Sequence, residues 1–192
     1  MSMRTFLAID LPEGIRAALT ETVAELRTQI AGEAKITWVL PQNLHVTLKF
    51  LGEVEDRALN DVLAEVARVC TGVAPFEFSV RGVACVPPLG NRLRMLWADV
   101  ADPTGRMEEL HTRLDDALSA MGFSRENRGF QAHITLGRVK FARDAAAVRA
   151  AAEPLADEDF GDVRAGQVTA YTSQLTPDGP IYAPLSHARL GG

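Results

Sequence analysis

The sequence predicts an α+β fold in which antiparallel sheets carry helices on their outer faces. Three observations lead to this prediction. Strand-like segments alternate apolar and polar residues, which is typical of sheets with one buried face. Helical patterns with an apolar residue every three or four positions lie between the strands. The order of these segments is the same in both halves of the 192-residue chain, which indicates an internal duplication with pseudo-two-fold symmetry.

The first half begins with an apolar strand segment, residues 5–11, and an amphipathic helix that ends near Gly32. A strand at 36–39 follows, and then a strand that begins at His45. A second amphipathic helix and a strand at 76–86 complete this half. The apolar stripes of the two helices are Ile15, Leu19, Val23, Leu26 and Ile30, and then Leu59, Val62, Leu63, Val66 and Cys70.

The second half repeats this order. A strand at 93–100 precedes a helix for which Asp102 is a natural cap and Pro103 the first residue, and Gly122 ends that helix. The apolar stripe of this helix consists of Met107, Leu110, Leu114, Leu118 and Met121.

The remaining segments of the second half are a strand that begins at His133, an alanine-rich helix at 145–152 and strands at 163–175. Two loops rich in proline and glycine, residues 87–91 and 176–180, are predicted to connect hairpins.

Composition limits the possible functions. The net charge of −5 argues against broad binding to a long nucleic-acid backbone but allows recognition of one nucleotide end by a small positive cleft. Cys70 and Cys85 have no metal-type spacing, which favours a reducing compartment without disulfides. We find no signal peptide and no apolar run long enough for a membrane span. We therefore expect one cytoplasmic domain of residues 1–192, with one sequence motif in each of two lobes.

That motif is a tetrapeptide that occurs twice, as His-Val-Thr-Leu at 45–48 and as His-Ile-Thr-Leu at 133–136. On a strand, the histidine and the threonine share one face and the two apolar residues share the other. A given histidine is followed by apolar-Thr-Leu in about one case in a thousand at average composition. The alternative is that each histidine is an ordinary half-buried strand residue, but two copies among four histidines favour a shared functional cleft.

These residue types fit chemistry on a phosphate. An imidazole gains or loses a proton near neutral pH, so one histidine can act as base while the other acts as acid. Thr47 and Thr135 could donate hydrogen bonds to the non-bridging oxygens, or they could simply favour the strand. A zinc site from His45 and His133 would lack a third ligand, so we predict no metal.

Three neighbouring residues are candidates for substrate binding. Strict alternation puts Lys49 on the face of the first motif, where it would add positive charge, although a solvated surface lysine is the alternative. Arg138 has the opposite parity from His133, but Gly137 could permit a bulge that turns the arginine inward. Phe6 could stack on a base if its side chain faces the cleft, and core packing is its alternative role.

The chain resembles the two-histidine (2H) phosphoesterase superfamily. More narrowly, it is similar to the RNA 2′,3′-cyclic phosphodiesterases, once described as 2′-5′ RNA ligases. The resemblance spans nearly the whole chain. It is carried by residues 4–9, by the stretch from Trp38 to Glu53, by residues 130–138 and by residues 175–182.

This resemblance implies a bilobal fold with two antiparallel sheets lining a central cleft. It implies hydrolysis of a 2′,3′-cyclic phosphate at an RNA end to a 2′-phosphate, without metal or cofactor. His45 would be the proton donor to O3′, His133 the base that activates water, and the two motif threonines would hold the phosphate. The family often has proline directly before the second histidine, where this chain has Ala132.

Two other function classes stay open from the sequence. One is a non-catalytic module that binds nucleotides or RNA ends. The other is a 2H enzyme that acts on a different small cyclic phosphate, such as an ADP-ribose cyclic phosphate. An additional 2′-5′ RNA ligase activity also stays open. We expect a monomer whose partner is an RNA or oligonucleotide with a 2′,3′-cyclic phosphate end.

Overall fold

The computed structural model describes residues 1–90, 92–126, 129–176 and 179–191. Within these ranges nine strands and four α-helices follow one another. The strands are β1 (Ser2–Asp10), β2 (Ala34–Trp38), β3 (His45–Glu55), β4 (Phe76–Val86), β5 (Met95–Ala101), β6 (His133–Ala142), β7 (Asp159–Ala165), β8 (Gln167–Thr176) and β9 (Gly179–Arg189). The helices are α1 (Glu13–Gln29), α2 (Asp56–Thr71), α3 (Arg106–Ala120) and α4 (Ala145–Ala152).

The strands form an antiparallel sheet in the order β7-β4-β5-β6-β3-β1-β8-β9, and β2 pairs with the later part of β6. The two motif strands, β3 and β6, meet in the middle at one residue pair, Val46 and Ile134. We call β3, β1, β8 and β9 the first half-sheet, and β6, β5, β4, β7 and β2 the second half-sheet. The predicted α+β fold is confirmed, with the difference that its two sheets are continuous through this single pair.

The helices cover the outer faces of the two half-sheets because each one buries an apolar stripe. Helices α2 and α3 pack against each other and against the first half-sheet, whereas α1 and α4 pack against the second. The predicted stripe of α1 is buried from Ile15 to Ile30. Met121 is an exception to the stripe of α3, because it follows the last helical residue and is exposed.

The two halves of the chain do not correspond to the two half-sheets. Strand β1 belongs to the first half-sheet, but α1, which follows it directly, packs on the second. In the same way, β3 and β4 lie in different half-sheets although only α2 separates them. The duplicated sequence therefore folds with its halves interleaved, and each half-sheet draws strands from both.

The predicted start of α3 is wrong by three residues. The helix begins at Arg106, after Gly105 with a positive φ of 68°, and not at Pro103. Asp102 still satisfies a free amide of the first turn, because its carboxylate accepts hydrogen bonds from the N–H groups of Met107 and Thr104 at 2.7 and 2.9 Å. The N-cap is Gly105 and not the predicted Asp102, which contacts the first turn from three residues before the N-cap.

Both predicted hairpins are present, since β4 pairs with β5 and β8 pairs with β9. Asn91, Pro177 and Asp178 of the predicted connections lie outside the described residues. Cys70 and Cys85 are buried free thiols, as expected. In the described part of the chain, no helix has the length and apolar character needed to cross a membrane.

Candidate active site

The pairing of Val46 with Ile134 brings the two motifs side by side. Because β3 and β6 run antiparallel through this pair, His45 lies toward Thr135, and Thr47 lies toward His133. The apolar partners are fully or almost fully buried and belong to the core, as the alternation predicted: Val46, Leu48, Ile134 and Leu136. The histidines and threonines are only partly buried and share the opposite face.

Both imidazoles are anchored in the same way. The Nδ1 atom of His45 lies 2.7 Å from the carbonyl oxygen of Asn43, and Nδ1 of His133 lies 2.8 Å from that of Gln131. A carbonyl only accepts, so each Nδ1 must carry the proton. Each Nε2 is then the atom that can take up or release a proton in the cleft. The anchor at Gln131 matches the one at Asn43, although Ala132 stands where the family often has proline.

The hydroxyl of Thr47 lies 2.9 Å from Nε2 of His45, so this threonine and the reactive nitrogen of its own motif are already in contact. Thr135 lines the same cavity as His45 and Thr47. His133 precedes Thr135 by two residues on the same strand face but is not part of the cavity wall. Its ring packs against the indole of Trp97 at a centroid distance of 4.3 Å.

An aromatic cluster holds the ring of His45. The ring of Phe6 lies 5.0 Å from it and the ring of Tyr182 lies 5.6 Å from it. Phe6 is only 3% exposed, and it also contacts Phe50 and Tyr171. A base has little free ring to stack on, so the suggested base-stacking role of Phe6 is corrected to packing behind His45.

A carboxylate stands across the sheet from each histidine, because Asp10 pairs with His45 and Asp99 pairs with His133. Asp10 accepts hydrogen bonds from the hydroxyls of Thr169 and Tyr171, both at 2.6 Å. These two donors fix the carboxylate of Asp10 beside His45. Burial raises the pKa of Asp99, while Trp97 and His133 act in the opposite direction.

The two motif strands carry equivalent bulges. Leu48 of β3 is an extra residue relative to β1, and Leu136 of β6 is an extra residue relative to β5. One extra residue reverses the alternation of faces beyond it. The cleft face therefore continues from Thr47 to Phe50 and from Thr135 to Arg138.

The first bulge overturns the prediction for Lys49. Its side chain faces the core instead of the cleft and is 4% exposed. Its ammonium group lies 2.5 Å from Asp115 of α3 and donates to the carbonyl of Ser124 at 2.9 Å. The carbonyl of the bulged Leu48 accepts a hydrogen bond from Nδ1–H of His111 at 2.8 Å. Lys49 and His111 therefore join β3 to α3 and add no charge to the cleft.

We expect Lys49→Met to lower the free energy of unfolding by about 3–5 kcal/mol, because it leaves the carboxylate of Asp115 buried without its cation. Urea unfolding monitored by circular dichroism measures this change. The matched double variant Lys49→Met with Asp115→Leu removes both charges and should recover most of the loss. A single variant as stable as the unsubstituted protein would contradict the assigned ion pair.

The second bulge turns Arg138 toward the cleft, as the sequence suggested. Arg138 lines the cavity together with His45, Thr47 and Thr135. It forms no ion pair with any carboxylate of the described residues. Gly137 allows the neighbouring strand β2 to approach, since a Cβ atom there would lie 2.7 Å from Ile36 and 2.9 Å from Trp38.

The neighbouring carboxylate and Arg138 have opposite effects on the pKa of each histidine, and the larger of the two effects differs between His45 and His133. Burial lowers the pKa of both His45 and His133 below the ordinary value for histidine. Asp10 raises the pKa of His45 more than Arg138 lowers it. For His133 the order is reversed, because Arg138 lowers its pKa more than Asp99 raises it. Among these charges alone, the carboxylate therefore has the larger effect at His45 and the guanidinium has the larger effect at His133, while burial is the largest cause at both and lowers both pKa values.

Several residues of the cavity wall were not predicted from the sequence to be site residues. They include Trp38 of β2, Asn43, Phe50 of β3 and Tyr182 of β9. Aligning the two motifs would have revealed Phe50, because it occupies the position that Arg138 holds in the second copy. Asn43 reaches β9 through a hydrogen bond to the carbonyl of Pro180 at 2.9 Å, a contact that local sequence does not predict.

A family model described as LigT-like phosphoesterase matches the chain over residues 9–97 and 99–182, one segment in each half. Among curated relatives, the RNA 2′,3′-cyclic phosphodiesterase of Methanothermobacter thermautotrophicus is 36% identical over 190 residues, which cover 99% of this chain and 100% of the relative. The protein of the same name from Thermotoga maritima is 34% identical and covers 99% and 97% of the two chains.

Solved structures of the same shape are similar over the whole chain. The crystal structure of TT0787 from Thermus thermophilus has a TM-score of 0.81 and 29% identity, and 99% of each chain is covered. The crystal structure of E. coli LigT complexed with 3′-AMP has a TM-score of 0.77 and 25% identity, again with 99% of each chain covered.

Proposed function

Because this chain belongs to the LigT-like phosphoesterase family, we propose that it is a phosphodiesterase that hydrolyses the 2′,3′-cyclic phosphate at an RNA end to a 2′-phosphate. One observation carries the proposal. Two imidazoles on adjacent antiparallel strands are both fixed through Nδ1, so that both Nε2 atoms are available for proton transfer. A displacement at phosphorus needs one group that removes a proton and one that supplies a proton.

The reaction assigns one role to each histidine. Nε2 of neutral His133 takes a proton from water as the water oxygen attacks phosphorus. The P–O3′ bond breaks on the opposite side, and Nε2–H of His45 gives its proton to O3′. The phosphate stays on O2′ as a monoester. Proton transfer to and from the imidazoles contributes about 10²–10⁴-fold to the rate in such reactions.

The charge balance at the two imidazoles supports this assignment. Asp10, fixed by Thr169 and Tyr171, favours the protonated form of His45. Arg138 favours the neutral form of His133. The hydroxyls of Thr47 and Thr135 and the guanidinium of Arg138 would bind the non-bridging oxygens, where negative charge increases in the transition state.

All of these groups lie on one chain. We therefore propose that residues 1–192 act as one domain and as a monomer, on an RNA or oligonucleotide with a cyclic phosphate end. The proposed steps use only side chains and water, with no metal ion or cofactor.

Product analysis tests this function. A short RNA with a 2′,3′-cyclic phosphate is incubated with the protein, with and without excess chelator, and the product is identified by phosphorus NMR and end-group digestion. We expect a 2′-phosphate as the dominant product and the same rate in chelator. A dominant 3′-phosphate would reverse the roles of His45 and His133. Turnover of an ADP-ribose cyclic phosphate in place of RNA, or binding without turnover, would reject the proposal.

A further inference from the structure

A groove continues from the cavity at the histidines and shares Phe50, Arg138 and Tyr182 with it. Beyond these shared residues, the groove is lined by Arg4 of β1, Lys140 of β6 and Leu175 of β8, among others. Its wall therefore includes residues of both half-sheets, from β1, β6 and β8. We call it the extension groove.

The extension groove is positively charged in a protein with a net charge of −5. Three cations line it, and none of its described lining residues is acidic. Within the described parts of the chain, no carboxylate lies within ion-pair distance of Arg4 or Lys140. Glu53, the cross-strand neighbour of Arg4, accepts a hydrogen bond from Ser2 at 2.9 Å. The two cations are therefore available to phosphate groups of a ligand.

Exposed apolar side chains also line the extension groove. Phe50 is 62% exposed, with its ring supported by Phe6 at a centroid distance of 5.8 Å. Leu175 is 65% exposed. A positive groove with an exposed aromatic ring is suited to single-stranded nucleic acid, because a base can stack on the ring while cations contact the backbone.

The surface beyond Pro41 and Gln42 has the opposite character. The depression there is lined by Glu13 and Glu21 of α1. Its arginine, Arg16, is already paired with Glu13 at 3.0 Å. Carboxylates repel a phosphate backbone, so a strand bound at the histidines would leave the cavity through the extension groove.

We propose that the extension groove binds the nucleotides on the 5′ side of the terminal cyclic phosphate. Arg4 and Lys140 contact backbone phosphates, and a base stacks on Phe50. This inference rests on the proposed function, because the reactive end at the histidines positions the strand. It adds to that function that the nucleotides beyond the terminal one contribute to substrate binding, so that an oligonucleotide is preferred to a free nucleoside cyclic phosphate.

The test compares kcat/KM for a trinucleotide ending in a 2′,3′-cyclic phosphate with kcat/KM for a nucleoside 2′,3′-cyclic monophosphate. We expect the trinucleotide to be favoured about tenfold or more at 50 mM salt. Between 50 and 200 mM salt, the slope of log kcat/KM against log salt should be steeper for the trinucleotide by about 1.4, the value for two phosphate contacts on a single strand.

The double variant Arg4→Gln with Lys140→Gln should reduce the ratio of the two kcat/KM values about tenfold. The matched control is Arg164→Gln with Arg189→Gln. It removes the same charge from exposed positions on β7 and β9 and should leave the ratio as it is. Circular dichroism confirms that both variants are folded.

The outcomes separate the two proposals. Equal kcat/KM for both substrates, or a ratio that the Arg4 and Lys140 substitutions do not change, would overturn the groove and leave the proposed function standing. Cleavage of neither substrate would overturn the proposed function, and the groove with it.

Discussion

Replacing either motif histidine with asparagine should lower kcat on an RNA 2′,3′-cyclic phosphate by on the order of 10²-fold or more. Asparagine keeps an N–H close to the position of Nδ1, so the hydrogen bond to the carbonyl of Asn43 or Gln131 can be retained. It has no group that titrates near neutral pH. His45→Asn therefore removes the proton donor, and His133→Asn removes the base, while both leave the strand pairing in place.

The loss should be far from additive. Acid and base act in the same transition state, so the double variant should be little slower than the slower single variant. Single-turnover measurements with excess enzyme separate the chemical step from substrate binding. His187→Asn is the comparison variant: it removes an exposed imidazole of β9 that contacts the hydroxyl of Thr169 at 3.0 Å and reaches Asp10 only through that hydroxyl, so its loss of kcat should be far smaller. Near-full activity of either motif variant would refute the acid–base pair.

The pairing of the two motifs could be predicted from sequence because it depends on local alternation and on repetition. His45 and Thr47 share a face on any regular strand, and so do His133 and Thr135. The helices were predictable for the same kind of reason, since each buries a stripe of period 3.6. The interleaving of the two halves could not be predicted from sequence, because the half-sheet on which α1 packs depends on contacts with residues far along the chain.

Lys49 and Arg138 show where alternation fails. Each lies beyond a bulge, so counting by twos assigns the wrong face to both. At the second bulge, Gly137 indicated that the strand could be irregular, and the inward turn of Arg138 was predicted as one possibility. Leu48 and Lys49 carry no glycine, and the partner of Lys49 is Asp115 of α3, 66 residues later. The sequence offered no local sign that this lysine belongs to the core.

Arg138→Gln should lower kcat/KM at the pH optimum by on the order of 10²-fold, because it removes a positive charge where charge builds up on the phosphate. The guanidinium lines the cavity beside Thr135, with no ion pair to the described carboxylates, so its charge is available to the substrate. Arg138→Lys keeps the charge but not the paired N–H donors, and its loss should be smaller.

Arg138→Gln should also shift the pH profile of kcat/KM, and the direction of the shift follows from the charges around the two histidines. Burial lowers the pKa of both His45 and His133, and Arg138 lowers both further. The maximum of kcat/KM for the unsubstituted enzyme should therefore lie below about pH 6.5, the ordinary pKa of histidine. Without the guanidinium charge, each imidazole holds its proton to higher pH. Both limbs of the profile should then shift toward alkaline pH. The apparent pKa values of these limbs describe the coupled pair of histidines and not either residue alone.

Measuring kcat/KM from about pH 4.5 to about pH 8.5 distinguishes an electrostatic role from a purely steric one. If Arg138 only shapes the cavity, Arg138→Gln lowers the rate and leaves both limbs in place. If its charge sets the protonation of the histidines, the limbs move to higher pH in Arg138→Gln and stay near their original positions in Arg138→Lys. A shift toward acid pH in Arg138→Gln would contradict the position of this arginine beside the two imidazoles, because loss of a nearby positive charge raises the pKa of histidine and does not lower it.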